Sequence, residues 1–165
     1  MNFDLLLVDS KDEKIFKMKK AIIVGASSGI GKEIALSLLR DHYKIGITGR
    51  RINNLEEIKK IDSKNIFVSS FDCTKESNAK KLDELAKLMG GLDMLVISSG
   101  FGDVNKSLEF SIEDKTNQLN VVAFTETVGW GFNYFSKQNS GHIVAISSIA
   151  GIRGNGLAPS YNASK

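Results

Sequence analysis

Residues 20–40 read KAIIVGASSGIGKEIALSLLR, and this stretch decides the fold. Ala21 to Val24 is a short, continuous apolar run that ends in glycine, the pattern of a strand buried on both faces. The residues after the turn place Ile30, Ile34, Ala35, Leu38 and Leu39 at helical spacing, with Lys32, Glu33 and Arg40 off that face. Between them lies Gly25-Ala26-Ser27-Ser28-Gly29-Ile30-Gly31, spaced G-x-x-x-G-x-G. A strand, a glycine turn and a helix in this order open a βαβ unit, and hence a parallel sheet.

The same alternation continues outward. Lys44 to Thr48 is expected as a second strand, Asn53 to Lys60 as a short helix, and Ile66 to Phe71 as a third strand. Thr74 is placed to cap a helix carrying Ala79, Leu82, Leu85, Ala86 and Met89 on one face. Met94 to Ile97 is the fourth strand and His142 to Ser147 the fifth. Ser111-x-x-Asp114 offers a capping start for a long helix to about Lys137. Gly129 and Gly131 cost that helix roughly 1 kcal/mol each relative to alanine, and they are where its continuity is weakest. Residues 1–17 differ: Asn2 to Val8 could form a short strand, and a charge-rich run comes after it. They are either an appended arm or precede a true start at Met18, the second being favoured, so the domain is expected over 18–165.

Composition bounds the function. The chain has 165 residues, 42% hydrophobic and 25% charged, with mean hydropathy −0.10, enough for one domain with a substantial core. A single proline and this apolar fraction argue against a disordered or Pro-rich chain. The formal charge of +3 and pI near 8.9 are carried by basic residues interleaved with acids, so no nucleic-acid surface is expected. No run of about 18 apolar residues exists to span a bilayer. The lone Cys73 rules out an internal disulfide and fits a reducing, cytoplasmic setting. His42 and His142 lie far apart without clustered ligands, so no metal site is expected.

The glycine turn suits a phosphate. Gly25 allows the tight turn, Gly29 lets backbone approach a ligand, and Gly31 lets helix and sheet pack closely. The helix start after Gly29-Ile30 offers free N–H groups to a pyrophosphate, and Ser27 and Ser28 add hydroxyls. A purely structural glycine turn is the alternative. No Gly-Lys-Ser/Thr comes next, which disfavours a P-loop. The second strand ends in Gly49-Arg50-Arg51, with no acid to accept from a ribose 2′-hydroxyl. Guanidinium groups suit a 2′-phosphate instead, so NADP(H) is the expected cofactor; the alternative is a pair of solvated loop arginines.

With these motifs in order, the chain resembles the short-chain dehydrogenase/reductase family. The resemblance rests on GASSGIG at 25–31, Asp72 after the third strand, Asn120 in the long helix, IVAISSIAG at 143–151 with Ser148, and Tyr161-Asn162-Ala163-Ser164-Lys165. It covers Met18 to Lys165 and implies a Rossmann-type, doubly wound α/β parallel sheet, incomplete at the C-terminus. It implies that Tyr161 is the acid/base, that Ser148 holds the substrate carbonyl, and that Lys165 contacts the nicotinamide ribose and supports Tyr161 electrostatically. It implies that Asn120 positions a water for proton relay, that Asp72 contacts the adenine with Cys73 beside it, and that Ser99 and Gly100 approach the cofactor. The chemistry asks for these types independently: hydride addition to a carbonyl leaves an alkoxide that needs a proton. At i and i+4, Tyr161 and Lys165 share a helix face, and a serine hydroxyl can orient a carbonyl oxygen.

Two departures stand out. Ile97-Ser98-Ser99-Gly100 replaces the family's frequent Asn-Asn-Ala-Gly, and Val24 stands where threonine is frequent. The chain also ends at Lys165, where the family continues. The expectation is therefore an N-terminal portion of an NADP(H)-dependent oxidoreductase that interconverts a carbonyl and an alcohol, with little activity by itself and a homo-oligomeric full-length form. A non-catalytic dinucleotide-binding module, sensor or structural, is the competing expectation. Phe101, Gly102 and the loop 151–160 should border the substrate.

Overall fold

The computed structural model describes residues 18–165, so the expected strand within Asn2–Val8 lies outside the described residues. Five strands form one parallel sheet: β1 (Lys20–Val24), β2 (Lys44–Gly49), β3 (Ile66–Ser70), β4 (Met94–Ile97) and β5 (His142–Ala145), in the order β3-β2-β1-β4-β5. The intervening helices are α1 (Gly29–Arg40), α2 (Ile52–Lys59), α3 (Asn78–Met89), α4 (Phe110–Asn117) and α5 (Phe124–Gln138), with a short α6 (Pro159–Ala163) after β5. This is the doubly wound α/β arrangement that the sequence led us to expect.

Two apolar cores flank the sheet, because alternate residues of its central strands leave opposite faces. Ile22, Val24, Leu95 and Ile97 pack with Leu82, Leu85, Met89 and Phe135 from α3 and α5. Ala21, Ile23, Ile45, Ile47 and Val96 pack with Ala35, Leu55 and Ile58 from α1 and α2. Gly46 has the first group's Met89 and Leu85 so close that a Cβ would lie 2.7 Å from sulfur. Gly131 likewise lets α5 settle onto Leu95, at 2.5 Å from where its Cβ would stand.

Several helix starts differ from expectation. The cap of α3 is Ser77, whose side chain accepts from the Lys80 N–H; Thr74 instead donates to Asp72 through both its N–H and its hydroxyl. Ser111 does not cap α4 either. The cap position lies two residues earlier, at Glu109, whose N–H and C=O are both engaged by the Asn105 side chain. The long helix is not interrupted at Gly129 or Gly131. It departs from α geometry at Gln118–Ala123, which is π-helical. Ile30 is not on the core face of α1 but 62% exposed, turned to the cleft described below.

Strand register sets the position of that cleft. Val24 is level with Thr48 on β2 and Ile97 on β4, and Ile97 with Ala145 on β5. The segments leaving β1, β2, β4 and β5 therefore emerge on one rim, where the chain order reverses between β1 and β4. Leu95, fully buried, lies directly beneath the rim. Leu95→Ala should cost about 2–5 kcal/mol in a urea titration, with the slope of the transition unchanged.

Candidate active site and dinucleotide cleft

The rim holds a cleft of about 600 Å³, within the range of small-molecule sites. Its floor is the glycine turn. The N–H groups of Gly25 and Ala26 donate to the Thr48 carbonyl at 3.1 and 2.8 Å, and the Ser98 N–H donates to the Val24 carbonyl at 2.9 Å. Gly25 has φ +89°, and a Cβ there would lie 2.6 Å from the Ser99 backbone nitrogen. Gly31 presses on Gly25, with its carbonyl oxygen 2.3 Å from where a Cβ would be. Gly29 differs from both: nothing lies within 4 Å of its Cβ position, so the loop presents bare backbone to open space. The close approach of backbone to backbone is thus at Gly25 and Gly31, whereas Gly29 is open.

At one end of the cleft, Arg51 donates to the Ser27 hydroxyl from Nε at 3.2 Å and from Nη2 at 2.9 Å, and also reaches the Ser28 hydroxyl. Asn54 fixes the Ser27 carbonyl at 3.1 Å. Arg50 lines the cleft beside them and bears electrostatically on Asp72. Partial burial pushes the Asp72 carboxyl up. The hydrogen bonds from Thr74 and the charge of Arg50 outweigh that and hold it below its ordinary value. Asp72 itself stands just outside the cleft wall, between the lining residues Phe71 and Cys73. Burial, then the neighbouring Asp72 charge, pushes the Cys73 thiol up, so it lines the cleft as a neutral thiol.

At the other end are Ser99, Gly100, Tyr161 and Lys165. Lys165 Nζ is 5.8 Å from the Tyr161 ring centre and donates to the Ile146 carbonyl at 3.4 Å. Gly100 lies under that ammonium: a Cβ there would be 2.9 Å from Nζ. The Tyr161 ring sits on Gly102, 2.4 Å from where its Cβ would be. Asn120 belongs to the π-helical turn and is 6% exposed. Its Oδ1 accepts from the Phe101 N–H at 2.8 Å, while its Nδ2 donates to the Phe101 carbonyl at 2.7 Å and to Ser164 Oγ at 2.9 Å. It thus pins the loop after β4 to the segment carrying Lys165. Ser148 lies behind Ser147, which lines the cleft; its Oγ accepts from the Ala150 N–H at 3.2 Å and caps the 3-10 turn Ile149–Gly151.

The structure therefore brings together at the cleft twelve of the sixteen candidate residues: Gly25, Ser27, Ser28, Ile30, Gly31, Arg50, Arg51, Cys73, Ser99, Gly100, Tyr161 and Lys165. Gly29, Asp72, Asn120 and Ser148 are adjacent to its wall rather than in it. Phe101 and Gly102 border it as expected, but of the loop 151–160 only Ala158 does. Sequence reasoning missed Val104 and Leu119 in the wall and the fit of Tyr161 on Gly102; only the glycine itself could have hinted at the last.

The sequence profile of the short chain dehydrogenases matches residues 19–165. The chain belongs to the short-chain dehydrogenase family. Among curated members, an oxidoreductase of Listeria monocytogenes is 35% identical over 156 residues, covering 90% of this chain and 62% of its own. A dehydrogenase/reductase family protein 7-like of Dictyostelium discoideum is 31% identical and covers 99% of this chain and 56% of its own. This short-chain dehydrogenase chain thus spans about three-fifths of the length of such relatives. Among solved structures, ElxO with NADP bound superposes with a TM-score of 0.81 at 26% identity, over 90% of this chain and 62% of that one. An alcohol dehydrogenase of Thermococcus sibiricus superposes at 0.83 and 24% identity, over 90% of this chain and 66% of that one, a likeness of fold.

The Asp72 environment gives a pH test. A carboxyl held low in the folded state contributes stability above its unfolded pKa, and that contribution is lost as pH falls through the folded value. Thr74→Ala should raise the Asp72 pKa toward the ordinary carboxylate value by NMR titration. The stability difference between wild type and variant should shrink as the solution is acidified through that range.

Proposed function

We propose that the protein carrying this chain is an NADP(H)-dependent oxidoreductase that interconverts a carbonyl and an alcohol. The observation that carries this is one continuous cleft with a phosphate-fitting glycine turn and two arginines at one end, and Tyr161 with Lys165 at the other. The residues fit a dinucleotide: Gly29 exposes backbone N–H groups to open space, Gly25 leaves no room for a side chain against Ser99, and the volume suffices. Gly25, Ser27, Ser28, Gly29, Ile30 and Gly31 would hold the pyrophosphate, Arg50 and Arg51 the 2′-phosphate, and Asp72 with Cys73 the adenine. Ser99, Gly100, Tyr161 and Lys165 would flank the nicotinamide. When bound, the cofactor supplies or accepts the hydride.

The chain's own residues do the rest. Tyr161 gives its phenolic proton to the oxygen that becomes an alcohol, and takes it back in the opposite direction. The Lys165 ammonium stabilises the phenolate electrostatically. Ser148 uses an acceptor lone pair on Ala150 and keeps its O–H to donate to a carbonyl oxygen. Asn120 fixes the Phe101 backbone beside the substrate, and the proposed water relay to Lys165 would start there. The substrate is a small molecule, and a reducing, cytoplasmic setting with a homo-oligomeric full-length form remains part of the proposal. A second solved form of ElxO is a tyrosine-to-phenylalanine variant with NADPH bound, so that protein holds its cofactor without that phenol.

A binding module without turnover is the second reading, favoured by one observation: Asn120 spends both ends of its side chain on Phe101. Tyr161→Phe separates the two. In an enzyme it should abolish carbonyl-dependent NADPH oxidation while cofactor affinity stays within about twofold, since the phenol acts on the reacting oxygen. A wild-type protein that binds NADPH but turns over no carbonyl compound would favour the module. For the cofactor itself, Arg50→Asp should raise the Kd for NADPH by about tenfold or more and leave NADH little changed, as reversed charge repels a phosphate. Equal loss of both would remove NADP(H) from the proposal.

A further inference from the structure

The segment that carries Tyr161 and Lys165 cannot hold itself in place. Helix α6 has five residues and none of them is buried, and a helix this short is unstable without outside support. Asn120 and Ser147 hold its far end, at Ser164 and the Lys165 carbonyl; its start is held by two polar side chains that no cofactor or substrate role has claimed. Glu113, on α4, accepts from the Ser160 N–H through Oε2 at 2.8 Å and from Asn105 Nδ2 through Oε1 at 2.6 Å. Asn105 is 2% exposed. Its side chain engages both the N–H and the C=O of Glu109 at 2.9 Å, and its own N–H donates to the Leu157 carbonyl at 2.7 Å.

The two residues therefore join three pieces of chain: the loop 101–109 that walls the cleft, the start of α4, and the segment 157–160 that leads into Tyr161. A carboxylate suits the junction because it only accepts, and both groups that face it are donors. The bonds from Ser160 and from Asn105 hold the Glu113 carboxyl below its ordinary value. Neither residue touches the glycine turn, Arg50 or Arg51.

We infer that Glu113, braced by Asn105, is a positioning residue for Tyr161: it fixes the start of α6 so that the phenol, seated on Gly102, faces the cleft. The role rests on the oxidoreductase reading above, but the brace itself is observable without turnover. The consequence is a split between chemistry and binding. Loss of the brace should misplace the acid/base while leaving the glycine turn and the arginine end, where most of the cofactor would be held, intact.

Two variants in the intact protein test it. Glu113→Ala removes both acceptors, and Glu113→Gln keeps the length and one acceptor oxygen for Ser160. The expected order in kcat is wild type, then Gln, then Ala, with Ala down by about tenfold or more and the NADPH Kd of both within about twofold of wild type. Amide hydrogen exchange of residues 157–165, measured by mass spectrometry, should speed up in the same order. An unchanged kcat in Glu113→Ala overturns the inference. So does a Gln variant as damaged as Ala, or a cofactor affinity that falls in parallel with kcat. If the wild type turns over no carbonyl substrate, the oxidoreductase reading fails instead, and the exchange order alone decides the brace: graded acceleration upholds it, and wild-type exchange in Glu113→Ala overturns it.

Discussion

Everything at the cleft depends on how closely two backbones meet where β1 and β4 part. Gly25 and Ser99 stand so near that the space holds no Cβ, and the Val24 and Thr48 carbonyls tie the turn and the segment after β4 to the strands. The helix after β1 lies on one face of the sheet and α5, after β4, on the other. The gap between those departures is the crevice. A side chain at Gly25 would have to push apart the two central strands, whose residues are among the most buried in the molecule. The site's shape is thus a property of the sheet's centre.

The two ends of the crevice are built differently. The arginine end draws on a short span, residues 25–54, and sets exposed Arg51 and Asn54 side chains on the buried Ser27. The tyrosine end is assembled from residues far apart in sequence. Asn120 spans 19 residues to Phe101 and 44 to Ser164, and Glu113 spans 47 to Ser160. Such long-range polar contacts rely on correct folding of several elements before any of them can form.

The central strands were legible because burial on both faces leaves a continuous apolar run, as in Ala21–Val24. Helix starts were harder. Thr74 and Ser77 offer the same capping chemistry, and what separates them is that Asp72 has already taken the Thr74 hydroxyl. Ser111 resembled a cap, yet α4 starts without a side-chain cap, and Asn105 holds the Glu109 backbone at its start from within the preceding loop. Gly131 looked like a weakness in a helix and is instead a contact with Leu95. Most of the candidate residues that line the cleft were visible through their ordered motifs. Glu113 and Asn105 carry no motif, because their role lies in hydrogen-bond geometry across distant segments.

The π-helical turn at Gln118–Ala123 acts as a crankshaft in the long helix. Its wider winding shifts the phase of the downstream helix by about one residue, or about 100°. The part before it can therefore aim Glu113 at the loop leading into α6, while the part after it turns Thr127, Gly131 and Phe135 onto the sheet. A straight, evenly wound helix could satisfy only one of these directions. Deleting a single residue there would re-time the helix, and either its anchorage to the sheet or its grip on the neighbouring loops would point the wrong way.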